Sequence, residues 1–145
     1  MKRFLVASGP NLNLLGSREP EIYGTQTLAA IEAEVRATAA RLGCEVDTFQ
    51  TNHEGALLDW LQAGAGVASG AVINPGAFAH YSYALYDCMK ALRIPIVEVH
   101  ISNVHARTEE FRRTSVTAPA ARGIISGLGS RGYSLALEYL FDLDQ

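Results

Sequence analysis

The chain is 145 residues long, with 48% hydrophobic and 19% charged residues and a formal net charge of −3. That length suits one domain with a real core, and the composition excludes a disordered chain. The mild negative charge gives no reason to expect nucleic acid or an anionic membrane as partner. No apolar run approaches the roughly 18–20 residues that span a bilayer.

The N-terminus, Met1-Lys2-Arg3-Phe4-Leu5-Val6-Ala7, starts basic, but its apolar stretch is short. It meets Gly9-Pro10-Asn11 rather than a cleavage pattern, so residues 3–8 read as a first strand and not a signal peptide. Leu28, Ile31, Val35, Ala39 and Leu42 recur at helical spacing, with Thr25 or Thr27 as N-cap and Gly43 as stop. Residues 45–51 read as a second strand, and Leu57, Leu58 and Leu61 as the apolar face of a second helix. A short third strand covers 71–73, and a third helix covers 82–92, stopped before Pro95. A fourth strand, 96–100, a fifth, 122–126, and a last helix, 131–142, complete the chain. This alternation predicts one α/β domain over 1–145, an open parallel sheet with helices on both faces.

Two connections are longer than simple links: Gly9 to Gly24, and Ile101 to about Ala120. Such loops are usually functional. Glycines at 9, 16 and 24 offer hinges on which the first could close over a ligand. Cys44 and Cys88 form neither a metal-type spacing nor a disulfide framework, which predicts a cytoplasmic protein with free thiols.

In open α/β sheets, ligands bind beyond the carboxyl ends of the strands, where strand order reverses. For the flavodoxin-like order 2-1-3-4-5, that crevice lies between strands one and three, with strand four alongside. Three polar clusters fall there: Gly9-Pro10-Asn11; Asn74-Pro75-Gly76 with His80 and Ser82; and Glu98-Val99-His100-Ile101-Ser102-Asn103. Glu98 and His100 are two apart on a strand and face the same way. A carboxylate in so apolar a strand needs a partner, and one that orients a histidine makes it a general acid. The other reading is a pair exposed at the sheet rim.

Arg18 and Tyr23 share the first loop. A guanidinium beside a phenol favours the phenolate and can make a base of it, although the bare pattern equally fits an exposed arginine and a packed tyrosine. Asn11 fits a cap or a hydrogen-bonding anchor, and Asn74-Pro75-Gly76 also fits a turn. His53 and His105 read as ordinary surface residues. Gly127-Leu128-Gly129-Ser130-Arg131-Gly132 matches G-x-G-x-x-G, but no following strand with its acidic residue is left to complete a dinucleotide site. It reads instead as a tight lead into the last helix. The only lysines, Lys2 and Lys90, are poorly placed for a Schiff base. The histidines show no chelating pattern, so no metal or other cofactor is expected.

The motifs Gly9-Pro10-Asn11-Leu12-Asn13-Leu14-Leu15-Gly16, Arg18-Glu19-Pro20 and Tyr23-Gly24 open a match that continues along the chain. Asn74-Pro75-Gly76-Ala77 with His80 and Ser82, Glu98 to Asn103, Phe111-Arg112 and Gly127-Leu128-Gly129 extend it. Together they resemble the type II 3-dehydroquinate dehydratases over essentially the whole length. The resemblance implies a flavodoxin-like three-layer fold without cofactor and a cytoplasmic homododecamer, a tetramer of trimers. It also implies dehydration of 3-dehydroquinate to 3-dehydroshikimate through an enolate. That step serves the shikimate pathway, towards chorismate and the aromatic amino acids, or quinate breakdown.

The resemblance further implies that Tyr23 is the base, that Arg18 keeps it ionised, and that His100, oriented by Glu98, protonates the leaving hydroxyl. Asn11 would help stabilise the enolate. Asn74, His80, Ile101, Ser102 and Arg112 would bind substrate, and Asp87 would reach a neighbouring subunit's site. Two features depart from the family pattern. The stretch Arg107-Thr108-Glu109-Glu110-Phe111 is one residue longer, which brings Arg107 and Arg113 into contention with Arg112. Ala79 and Tyr81 flank His80 where threonines are expected.

An FMN-binding protein would want a Ser/Thr-rich phosphate loop after strand one, where Leu12, Leu14 and Leu15 stand. A phosphoacceptor module would want an aspartate after strand three and a late lysine, where Asn74 stands and no such lysine follows. A binding module without catalysis would leave Tyr23 or His100 out of position.

Overall fold

The computed structural model describes residues 1–143 of the chain, so the last two positions of the expected 1–145 domain lie outside the described residues. Five strands form one parallel sheet: β1 Arg3–Ser8, β2 Glu45–Gln50, β3 Gly70–Asn74, β4 Ile96–His100 and β5 Gly123–Ser126. Their order is β2-β1-β3-β4-β5, the flavodoxin-like arrangement that the alternation of elements predicts.

Period-two alternation sorts the core into two faces. Phe4 and Val6 of β1 pack with Ile31, Val35 and Ala39 of α2 (Leu28–Leu42) and with Tyr133, Ala136, Leu137 and Leu140 of α5 (Arg131–Phe141). Leu5 and Ala7 turn the other way, to Leu57 and Leu61 of α3 (Glu54–Ala65) and Leu85, Cys88 and Met89 of α4 (Tyr83–Ala91). Because both faces are covered, β3 is buried along its whole length, and its sequence Gly-Ala-Val-Ile-Asn has no polar alternation.

The helix ends follow their capping chemistry. Thr27, rather than Thr25, caps α2: its hydroxyl accepts from the Ala30 N–H at 3.2 Å. Gly43, at φ +80°, closes that helix in the left-handed conformation that glycine adopts without strain. Ser82 stands outside α4 as its cap, accepting from the Leu85 N–H at 3.0 Å, which moves the start of the expected 82–92 helix to Tyr83.

The two long connections carry structure of their own. The first holds a 3-10 turn, Leu12–Leu14, and one helical turn, α1 (Pro20–Tyr23). The second folds as three 3-10 turns, Val104–Ala106, Glu110–Arg113 and Ala118–Ala120.

Where β1 and β3 end side by side, the loops that follow them touch. The Gly9 N–H donates to the Asn74 carbonyl at 2.8 Å. A Cβ on Gly9 would lie 2.4 Å from the Pro75 carbonyl oxygen, a clash with backbone that no rotamer relieves. Gly9→Ala should therefore cost about 1–3 kcal/mol of stability, read as a lowered midpoint in thermal melting. An unchanged midpoint would show that the two loops can part freely.

Candidate active site

A cleft of about 410 Å³, its open mouth included, lies beyond the carboxyl ends of β1, β3 and β4. Its lining includes Arg18 and Tyr23 from the first long connection, Asn74 at the end of β3 and His80 beyond it, and His100 at the end of β4 with Ile101 and Ser102 beyond it. Arg107 and Arg112 from the second connection close it. The switch-point argument places a ligand in the same crevice.

The floor is a hydrogen-bonded carboxylate–imidazole pair fixed by β4. Glu98 is fully buried, and its Oε2 lies 2.7 Å from His100 Nε2. Two hydroxyls complete the carboxylate's coordination: Ser115 Oγ donates to Oε2 at 2.8 Å and Thr117 Oγ1 to Oε1 at 2.5 Å. A buried carboxylate costs several kcal/mol unless its oxygens find donors, and here three side chains supply them. With Nε2 bound to Glu98, the ring's Nδ1 is left for a ligand. Ser115 and Thr117 have no counterpart in the sequence reading, because their contact with Glu98 spans 17 and 19 residues of irregular chain.

Opposite this floor stands Tyr23. Its phenol oxygen accepts from Arg107 Nη1 at 3.0 Å, and the same nitrogen lies 3.2 Å from Ser102 Oγ. Arg18 approaches differently: its Cζ sits 4.5 Å from the centre of the Tyr23 ring, a cation–π contact with the face rather than a hydrogen bond to the oxygen. The guanidinium on the Tyr23 oxygen is thus Arg107, which the sequence brought forward only as an alternative to Arg112.

Arg107 is buried, and its Nη2 has no hydrogen-bond partner among the described residues. Arg112 also lines the cleft, its Nε 3.4 Å from Glu109 and without a well-formed hydrogen bond. Arg113 faces elsewhere, with its Nε donating to the Arg107 carbonyl at 3.0 Å. Two guanidiniums with unused N–H groups, and a third over the tyrosine, suit an anionic ligand rich in oxygen.

His80 Nδ1 lies 2.8 Å from the Thr114 carbonyl. A carbonyl can only accept, so Nδ1 carries the proton. Burial holds the ring's pKa below the usual histidine value, against the raising effect of that hydrogen bond. Neutral His80 therefore offers the lone pair on Nε2 to a hydroxyl group. Asn74 Oδ1 accepts from the Gly76 N–H at 3.1 Å, so the turn reading of Asn74-Pro75-Gly76 and the cleft reading both hold.

Three expected site residues do not line this cleft: Glu98, fully buried and bound to His100, Asn11, and Asp87, which the resemblance assigns to a neighbouring subunit's site. Asn11 sits outside it at φ +68°, its N–H donating to Asn52 Oδ1 at 2.9 Å and its side chain making no cap. Asp87 lies on the exposed face of α4. The Gly127-Leu128-Gly129 motif grips the strand end: Gly127 N–H donates to His100 O and Gly129 N–H to Ile101 O. Among the described residues no cluster of His, Cys, Asp or Glu is arranged to hold a metal ion. Neither lysine lines the cleft.

A flavodoxin-like sheet whose basic cleft combines a phenol under a guanidinium with an imidazole on a buried carboxylate has the makeup of an α/β enzyme with groups suited to acid–base chemistry. Comparison with known proteins narrows this. Residues 2–141 match the family described as Dehydroquinase class II. The 3-dehydroquinate dehydratase of Variovorax paradoxus is 54% identical over 145 residues, covering 97% of this chain and 99% of that one. The enzyme of the same name from Thermus thermophilus is 56% identical over 137 residues, covering 94% of this chain and 91% of that one. The crystal structure of type II dehydroquinase from Propionibacterium acnes superposes with a TM-score of 0.93 at 44% identity over 97% of each chain. The chain belongs to the class II dehydroquinase family.

Proposed function

We propose that the cleft removes water from 3-dehydroquinate by anti elimination through an enolate, giving 3-dehydroshikimate. Dehydration of 3-dehydroquinate, a step of the shikimate pathway, is the activity of the family. The division of labour among residues is our reading of the geometry. The observation that carries it is that Tyr23, whose oxygen accepts from Arg107, and His100, which is bound to the buried Glu98, line one cleft.

Tyr23 takes the proton beside the ketone, and the electron pair moves onto the ketone oxygen. Asn11, in the loop that follows β1, helps hold the water or group that stabilises this enolate. The electrons then return, the bond to the leaving hydroxyl breaks, and His100 gives that oxygen its proton, so the balance is one water lost. Arg107 keeps positive charge on the base's oxygen, and Arg18 covers the ring. Arg112, Asn74, His80, Ile101 and Ser102 hold the carboxylate and hydroxyls.

Arg107→Ala should lower kcat roughly 10²–10³-fold, the usual loss for one charge-stabilising donor, and Arg18→Ala should lower it less. Steady-state kinetics check the order, and a larger loss for Arg18→Ala would move the charge-stabilising role back to that residue.

We propose one catalytic domain over 1–145 in a cytoplasmic protein, consistent with the free buried Cys44 and Cys88. We also propose a homododecamer, in which the exposed Asp87 contributes to a neighbouring subunit's site. Sedimentation at working concentration tests the assembly.

The first experiment for the activity is ultraviolet absorbance after adding 3-dehydroquinate to metal-free protein. The product is a conjugated enone acid and the substrate is not. A rise that survives borohydride treatment with substrate supports the enolate route. A flat trace from folded, assembled protein would overturn it.

A further inference from the structure

The last helix does more than cover the sheet. A Cβ on Gly132 would lie 3.1 Å from Val99 Cγ1 and 3.3 Å from Ile125 Cγ2. The missing side chain lets the first turn of α5 settle close to β4 and β5. That approach carries Tyr133 to the ends of β1 and β3, where its hydroxyl lies 3.0 Å from both Ser8 Oγ and Asn74 Nδ2. The whole residue is 1% exposed.

Chemistry fixes the direction of each of these bonds. The Gly76 N–H can only donate, so the Asn74 atom facing it is the carbonyl oxygen. The Asn74 nitrogen therefore faces Tyr133 and donates to its oxygen. Burial raises the Tyr133 pKa to about 12, so the phenol keeps its own proton near neutral pH. That proton is directed to Ser8 Oγ. The Asn74 carboxamide is thus held at both ends, and its second N–H remains for the cleft that Asn74 lines.

We propose that Tyr133 is a positioning residue for substrate binding: by accepting from Asn74 Nδ2, its hydroxyl aims the remaining Asn74 N–H at an acceptor oxygen of the substrate. This rests on the reading of the cleft as a dehydratase site that uses Asn74. The terminal torsion of asparagine is broad, so an amide tied only to Gly76 would swing. A donor fixed before the ligand arrives loses less freedom on binding.

The test is steady-state kinetics on the full chain with 3-dehydroquinate, at a temperature well below each variant's melting midpoint. Turnover by the native enzyme is measured first, and an inert native enzyme would overturn the dehydratase reading and this proposal with it. Tyr133→Phe keeps the buried ring and removes only the oxygen. It should raise KM about five- to tenfold, the scale of one hydrogen bond, with kcat within about twofold. Ser8→Ala, which strips the acceptor for the tyrosine's proton, should raise KM by less. Leu140→Val loosens the same helix without touching Asn74 and should leave KM unchanged. In an Asn74→Ala background, Tyr133→Phe should add less than about twofold, because the two side chains act as a unit. An unchanged KM in Tyr133→Phe, an equal rise in Leu140→Val, or an undiminished rise on top of Asn74→Ala would each overturn the proposal.

Discussion

Tyr23→Phe should lower kcat by about 10³-fold or more while KM stays within a few-fold, because a positioned general base contributes roughly 10²–10⁴. The substitution is clean. The phenyl ring keeps the face on which Arg18 rests, 4.5 Å from its centre, and loses only the oxygen that accepts from Arg107 at 3.0 Å. A thousandfold loss corresponds to about 4 kcal/mol of transition-state stabilisation, far more than one surface hydrogen bond. The absorbance assay gives the rate, and near-ultraviolet circular dichroism verifies the fold. Turnover near the native rate would remove Tyr23 from the mechanism and leave the search for a base among His80 and His100.

His100→Gln should lower product formation by roughly 10²–10³-fold, but it should fail differently. The imidazole acts after the proton beside the ketone has left. In heavy water the variant should therefore return substrate carrying deuterium at that position, whereas Tyr23→Phe should return it unlabelled. Mass spectrometry of recovered substrate separates the two. Glu98 keeps Ser115 and Thr117 as donors in this variant, so the buried carboxylate does not lose all its partners. Unlabelled substrate from His100→Gln would place His100 at the first proton transfer and overturn the sequence of steps.

Most of the fold was legible because local rules coincide with the tertiary result. Strands buried on both faces read as apolar runs, and Thr27, Gly43 and Ser82 mark helix ends through capping that depends on a few neighbouring residues. The Glu98–His100 pair was legible for the same reason: two positions apart on a strand means one side of the sheet, whatever the rest of the chain does. Arg107 was not. Its contact with Tyr23 spans 84 residues and depends on how the 3-10 turns of the second connection fold. No periodicity ranks Arg107, Arg112 and Arg113 along such a path. The extra residue in that stretch was a usable signal that the ranking was open. Asn11 and Asp87 were named by motif matching alone: Asn11 does not line this cleft, and Asp87, on the exposed face of α4, was assigned to a neighbouring subunit's site. Tyr133 drew no reading from the sequence beyond its place in the last helix. Nothing local announces that its oxygen meets Ser8 and Asn74.

The bond between Ser8 and Tyr133 joins residues 125 positions apart. At a synthesis rate of about 5–20 residues per second, Ser8 emerges roughly 6–25 s before its partner exists. During that interval β1, β2 and β3 can pair, yet the face of the sheet that presents Phe4 and Val6 has only α2 to cover it. The Asn74 amide likewise has Gly76 but no phenol to meet. The nascent chain therefore carries a half-clothed sheet and an unset binding group until its final helix arrives. A growing chain of this kind is exposed to aggregation until that helix is made.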